Sequence, residues 1–117
     1  GLSNAADLLL TGRIIRGREL ADMGLASTAL PHDQVLEFTM ERAREVLLAA
    51  PVSVAISKQL LWKGLNASFF DLGPEESRLF EWLSSKADAR EGVASFLQKR
   101  EPQWNLRVSG EVPEIKL

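Results

Sequence analysis

The sequence predicts a mainly α fold of about five to six helices with one or two very short strands, on three observations. Apolar residues recur at three- and four-residue spacing through most of the chain. Proline and glycine interrupt that pattern at short intervals. Extended pieces are confined to two brief stretches near the N-terminus. The chain has 117 residues and a mass of 12.9 kDa, one domain's worth of protein. Area scaling allows about two thirds of the unfolded surface to be buried in a core of that size. Hydrophobic residues at 45% and charged residues at 26% sit near globular averages, which argues against a disordered, collagenous or low-complexity chain.

Taken in order, Ser3 is placed to cap a first helix to about Leu10, with Ala6, Leu9 and Leu10 on its buried stripe and Gly12 supplying the left-handed residue that ends it. Arg13-Ile14-Ile15 is a short extended candidate. Gly17 to Met23 reads as a short helix stopped by Gly24, and Leu25 to Leu30 as a second extended piece ending at Pro31. From Asp33 to Ala49, Val35, Leu36, Thr39, Ala43, Val46 and Leu47 share one face, the pattern of an amphipathic helix. Pro51 suits the first turn of the next helix, which carries Val52, Ala55, Ile56 and Leu60 and reaches about Ala67. Gly73-Pro74 punctuates before a helix from Glu75 to Ser85 with Leu79, Phe80 and Leu83 on its apolar side. Asp88 and Glu91, three apart, form an Asp/Glu variant of the capping box and open a last helix to about Lys99, with Val93, Phe96 and Leu97 on its apolar side. After Pro102 no periodicity remains, and residues 105–117 read as an extended or mobile tail.

Composition excludes several function classes. Fourteen Lys plus Arg against sixteen Asp plus Glu leave a net charge of −2, and the pI near 5.4 offers no basic excess for a phosphate backbone. Nucleic acid is therefore not expected as a partner. With no cysteine and one histidine, His32, neither a disulfide framework nor a metal centre is expected, and a reducing compartment, the cytoplasm, is the natural home. The longest apolar stretches, such as Leu8 to Leu10 and Val46 to Ala50, are too short for a membrane span or a signal segment, so no membrane partner is expected.

No catalytic constellation emerges from spacing. Ser27, Ser53 and Ser57 have no neighbouring base and no nucleophile elbow. Glu75 and Glu76 follow Pro74, where negative charge complements a helix dipole. Glu111 and Glu114 lie in the tail, and Asp7 and Asp22 each stand alone. Thr11-Gly12-Arg13 and Arg16-Gly17-Arg18 are not phosphate cradles, and Arg13, Arg16 and Arg18 read either as an anion patch or as exposed charge around a turn. Lys99-Arg100, beside Phe96 and near Trp104, has two readings. The cations could hold a phosphate next to a stacked base, or could simply favour the C-terminal end of their helix.

Four ordered pieces carry a resemblance. They are Ala6 to Ile15 (ADLLLTGRII), Glu19 to Leu25 (ELADMGL) with Leu30-Pro31, Ala50-Pro51 followed by Ala55 to Leu61 with Lys58, and Glu91 to Pro102 (EGVASFLQKREP) with Trp104. In this order and spacing the chain resembles the second half of the enoyl-CoA hydratase/isomerase (crotonase) superfamily, from Gly1 to about Trp104. The resemblance implies the C-terminal helical part of a crotonase-like α/β fold. Residues 1–31 would end the core, 32–104 would form a helical oligomerisation region, and 105–117 would be the tail.

The resemblance further implies an enzyme acting on acyl-CoA thioesters, by default a lyase hydrating trans-2-enoyl-CoA in fatty acid metabolism, with the thioester as substrate and no separate cofactor. Such hydratases use two glutamates around a water and two backbone amides at the developing enolate oxygen. The resemblance places these ahead of the Leu-Thr-Gly segment, where this sequence has ten residues before Thr11 and no Glu. No catalytic residue is therefore carried over, and the chain is expected to be part of a longer enzyme and inactive alone. Phe80 and Lys99 match an aromatic and a lysine that contact the nucleotide end of coenzyme A. The residues alone favour core packing for Phe80 and helix-end charge for Lys99. Arg16-Gly17-Arg18 departs from the polar cap the family often has there. Trimers or hexamers are implied for the intact enzyme and self-association, including a swapped dimer, for this chain. The competing class is a noncatalytic helical interaction module.

Overall fold

The computed structural model describes residues 1–113. Among them are seven helices and no strand: α1 (Leu2–Thr11), α2 (Gly17–Asp22), α3 (His32–Leu47), α4 (Pro51–Gly64), α5 (Phe69–Ser84), α6 (Ala87–Gln98) and α7 (Val108–Glu111). The mainly α expectation holds. The two extended candidates do not become strands, because a strand exists only as part of a ladder and neither has one. The last four residues of the tail, with Glu114, lie outside the described residues. Within the rest of the tail, α7 adds a helical turn that periodicity did not show. The chain divides into two compact units, Gly1–Glu41 and the part from Arg42 onward.

In the first unit, α1 begins two residues earlier than expected. Gly1 is the N-cap and Ser3 lies inside the helix, so no side chain caps it. Its end is as read: Gly12 takes φ 63°, ψ 18°, and its N–H donates to the Leu8 carbonyl. Polar contacts join α1 to α2 at both ends. Arg13 donates to Asp7 at 2.9 Å and to Glu19 at 2.5 Å, and Asn4 Nδ2 donates to the Met23 carbonyl at 3.2 Å. Gly24, at φ 73°, then turns the chain so that the amides of Leu25 and Ala26 reach the Leu20 carbonyl.

The second unit holds the fully buried apolar residues: Val52 and Ile56 of α4 and Leu79 of α5, with Leu60, Trp82, Leu83, Leu106 and Val112 packed around them. Pro51 occupies the start of α4, as expected, and α4 stops at Gly64, three residues short of Ala67. The largest departure is α5, which starts six residues before Glu75. Ser68 and Asp71 form a capping box, each side chain accepting from the other's backbone N–H, at 3.3 Å and 3.1 Å. Pro74 therefore sits inside the helix, where it removes one bond to the Phe70 carbonyl without ending the helix. The capping box starts the helix upstream of the proline, and the helix runs on through it to Ser84.

α6 also departs from expectation. Its N-cap is Lys86 and has no side-chain bond, so Asp88 and Glu91 lie inside the helix and do not form its capping box.

Replacing Ser68 with Ala should lower unfolding free energy by about 1 kcal/mol in thermal or urea denaturation. An unchanged stability would place the helix start at Pro74 after all.

Candidate functional site

The most structured polar arrangement is on α6, where two carboxylates one turn apart receive the chain as it folds back. Asp88, 6% exposed, accepts the backbone N–H of Asn105 at 2.8 Å and that of Leu106 at 3.3 Å. Glu91 accepts both arms of the Arg100 guanidinium, at 2.5 and 2.9 Å, and the backbone N–H of Gln103 at 2.6 Å. Arg100 and the Gln103 amide hold the Glu91 carboxyl well below the carboxylate range, from 4.5 to about 2. Gly92 completes the arrangement. A Cβ there would stand 3.6 Å from the Trp104 ring, whose indole N–H donates to the Leu48 carbonyl at 3.1 Å. Trp104 thus ties the returning segment to both α6 and the end of α3. Sequence reasoning missed this arrangement because the acids resembled a cap, and their partners lie 9 to 18 residues further on.

Lys99 sits at the turn this arrangement closes. It caps α6 at φ 53°, ψ 42°, the left-handed region, and is the non-glycine residue with positive φ among the described residues. Its N–H reaches the Phe96 carbonyl and that of Arg100 the Ser95 carbonyl, so two of the carbonyls at the helix end are satisfied. Holding a side chain in this region costs about 1–2 kcal/mol. The Lys99 side chain is exposed and makes no ion pair among the described residues. It remains available to an anion.

Phe80 does not pack in the core, contrary to the local expectation. It is 71% exposed, whereas Leu79 beside it is 1% exposed. One turn of α5 therefore points Leu79 inward and Phe80 outward, where it lines an apolar cleft of ≈ 450 Å³ with Val52, Leu83, Val93, Trp104 and Leu106. Lys99 is not among the residues lining that cleft. The structure thus places both residues at the surface without bringing them together in one pocket.

The remaining candidates are held in local pairs. Arg13 is engaged by Asp7 and Glu19, which removes it from an anion patch, and Arg16 and Arg18 are exposed. Glu75, 8% exposed, takes a two-armed bond from Arg78 at 2.7 and 2.8 Å; it lies in the second turn of α5, too far in to serve the helix dipole as expected. His32 opens α3 and is exposed. Among the described residues, no three His, Cys, Asp or Glu side chains gather into a metal-ligand group, and no single helix is long and apolar enough to cross a membrane.

Around this lies unusual apolar exposure. Phe96 is 82% exposed, Leu97 72%, Phe69 78% and Phe70 86%. Helices with wide apolar faces, a small core and a braced C-terminal turn define a helical packing region. The chain belongs to the enoyl-CoA hydratase/isomerase family, whose model matches residues 1–107. It is 30% identical over 107 residues to the 2,3-dehydroadipyl-CoA hydratase of Escherichia coli K12, covering 92% of this chain and 42% of that protein. The crystal structure of a "probable enoyl-CoA hydratase/isomerase" from Mycobacterium abscessus superposes with a TM-score of 0.87 at 32% identity, over 92% of this chain and 43% of the other. Enoyl-CoA hydratase from Bacillus anthracis gives 0.82 at 26% identity, over 86% and 39%. The chain spans about two fifths of the length of the curated relatives it matches.

Because the Glu91 carboxyl is depressed from 4.5 to about 2, the stability it contributes is present above pH 4.5 and is lost as pH falls toward 2. Glu91→Gln should flatten that part of an acid-unfolding curve, and an unchanged curve would separate Glu91 from the fold. Lys99→Gly should raise unfolding free energy by about 1 kcal/mol by relieving the left-handed backbone, and a loss of stability would contradict the strain assigned to Lys99.

Proposed function

We propose that this chain supplies the helical, coenzyme A-facing region of an enoyl-CoA hydratase/isomerase that acts on acyl-CoA thioesters, adding water to a trans-2-enoyl-CoA. The observation that carries the reading is the ordered family match over residues 1–107, by a chain spanning about two fifths of its relatives. Hydration needs an acid–base pair straddling the substrate and donors aimed at the developing enolate oxygen. Among the described residues, the carboxylates with the best-defined surroundings, Asp88, Glu91 and Glu75, are occupied by backbone amides or arginines. In this reading the acid–base groups come from outside residues 1–117, and this chain alone does not hydrate. Phe80 and Lys99 meet the nucleotide end of coenzyme A, an assignment supported by their exposure and by the charge available at Lys99. A cytoplasmic site of action suits a chain without cysteine.

The exposed apolar faces favour self-association as part of the same function, since surfaces of that kind are normally covered by a partner. Light scattering at micromolar concentration should return a mass above 12.9 kDa, and a monomer would contradict it.

Joining this chain to the N-terminal part of the E. coli hydratase should yield a protein that hydrates a short trans-2-enoyl-CoA, measured by loss of the enoyl absorbance, while residues 1–117 alone show no turnover. A folded, associated chimera without activity would remove the hydratase assignment, and activity of the isolated chain would remove the division of labour.

A further inference from the structure

We infer that Glu91 is a positioning residue for Lys99: by holding Arg100 and the Gln103 amide it fixes the left-handed turn that presents the lysine ammonium to an anionic nucleotide. The inference rests on the coenzyme A reading of Lys99 above.

Lys99 has a strained backbone and an exposed side chain, so its conformation must be determined by what lies on either side. On the N-terminal side, the Ser95 and Phe96 carbonyls take the amides of Arg100 and Lys99, at 3.1 and 3.3 Å. On the C-terminal side the anchor is Glu91. Its carboxylate receives the Arg100 side chain in a two-armed bond and the Gln103 amide at 2.6 Å, so one group pins the residues just beyond the turn. Glu91 is itself held at a defined height on α6, next to Gly92, against which the Trp104 ring packs. Asp88 repeats the contact one turn earlier, at Asn105 and Leu106. Removing the Glu91 charge leaves Asp88 and Trp104 to hold the far end, and Arg100 bonded to Gln98 Oε1 at 2.7 Å and to the Glu101 carbonyl at 3.0 Å, but weakens the tie between the turn and the body of α6. The segment from Lys99 to Pro102 then gains freedom while α6 keeps its fold. A lysine on a freed turn must be ordered when an anion binds, which weakens binding. Glu91 touches no ligand in this account and acts only through Lys99.

The test is a double-mutant cycle on the 117-residue chain, with coenzyme A as the probe in titration calorimetry and NMR reporting the turn. K99M and E91Q should each weaken coenzyme A binding about fivefold or more, and the double variant should bind no more weakly than K99M. R100K, which keeps the charge but removes the fork, should behave as E91Q does and serves if E91Q folds poorly. In the unmodified chain, the positive φ of Lys99 gives a strong intraresidue amide-to-Hα cross-peak, which should weaken in E91Q. If K99M weakens binding but the E91Q loss persists at full size in the K99M background, Glu91 acts elsewhere and the inference is overturned while the reading of Lys99 stands. An E91Q chain with an undiminished Lys99 cross-peak overturns it regardless of ligand. No binding, or affinity indifferent to K99M, removes the coenzyme A reading of Lys99 and the inference with it.

Discussion

The second unit depends on carboxylates meeting backbone amides along α6. After Gln98 the chain leaves the helix, and Pro102 cannot resume it. Its amides must find acceptors elsewhere. Asp88 and Glu91 supply them, and a charged acceptor strengthens each of these bonds relative to a neutral one. Once the segment is laid against α6, Trp104 reaches the Leu48 carbonyl and Leu106 joins the apolar residues around Val52, Ile56 and Leu79. A polar constraint thus delivers apolar residues to the core. It also places Lys99 at a turn whose strain is offset by the bonds on both sides.

The core itself is small, and the contrast with the exposed faces links structure to function. α4 and α5 bury Val52, Ile56 and Leu79, yet Phe69, Phe70 and Phe80 of α5 and Phe96 and Leu97 of α6 remain open. Apolar faces of that extent call for another surface to cover them. A helical region that matches an enzyme family over nearly its whole length, while spanning about two fifths of the relatives, fits that requirement.

Much of this was legible in the sequence where the cause is local. Gly12 and Gly24 end their helices through a left-handed backbone, and Pro51 starts one, because those residues carry the preference themselves. What misled was local chemistry with two meanings. Gly73-Pro74 reads as a break, yet Ser68 and Asp71 start the helix upstream and Pro74 is absorbed. Asp88 and Glu91 have cap spacing, yet their partners lie beyond the helix end. Phe80 belongs to an apolar stripe whose inward limit is set by what packs on α5, and spacing alone does not separate it from Leu79. At the candidate site, Phe80 was reached through family resemblance, and Lys99 through both its local charge and that resemblance. The brace around Lys99 was not, because it is assembled from residues that become neighbours only on folding.

Amide hydrogen exchange on the 117-residue chain tests the central claim most directly. The amides of Gln103, Asn105 and Leu106 should exchange as slowly as those in the body of α6, and the Asn105 and Leu106 amides should lose that protection in Asp88→Ala. Exchange at the rate of an unstructured peptide at these three positions, with α6 itself protected, would contradict the account.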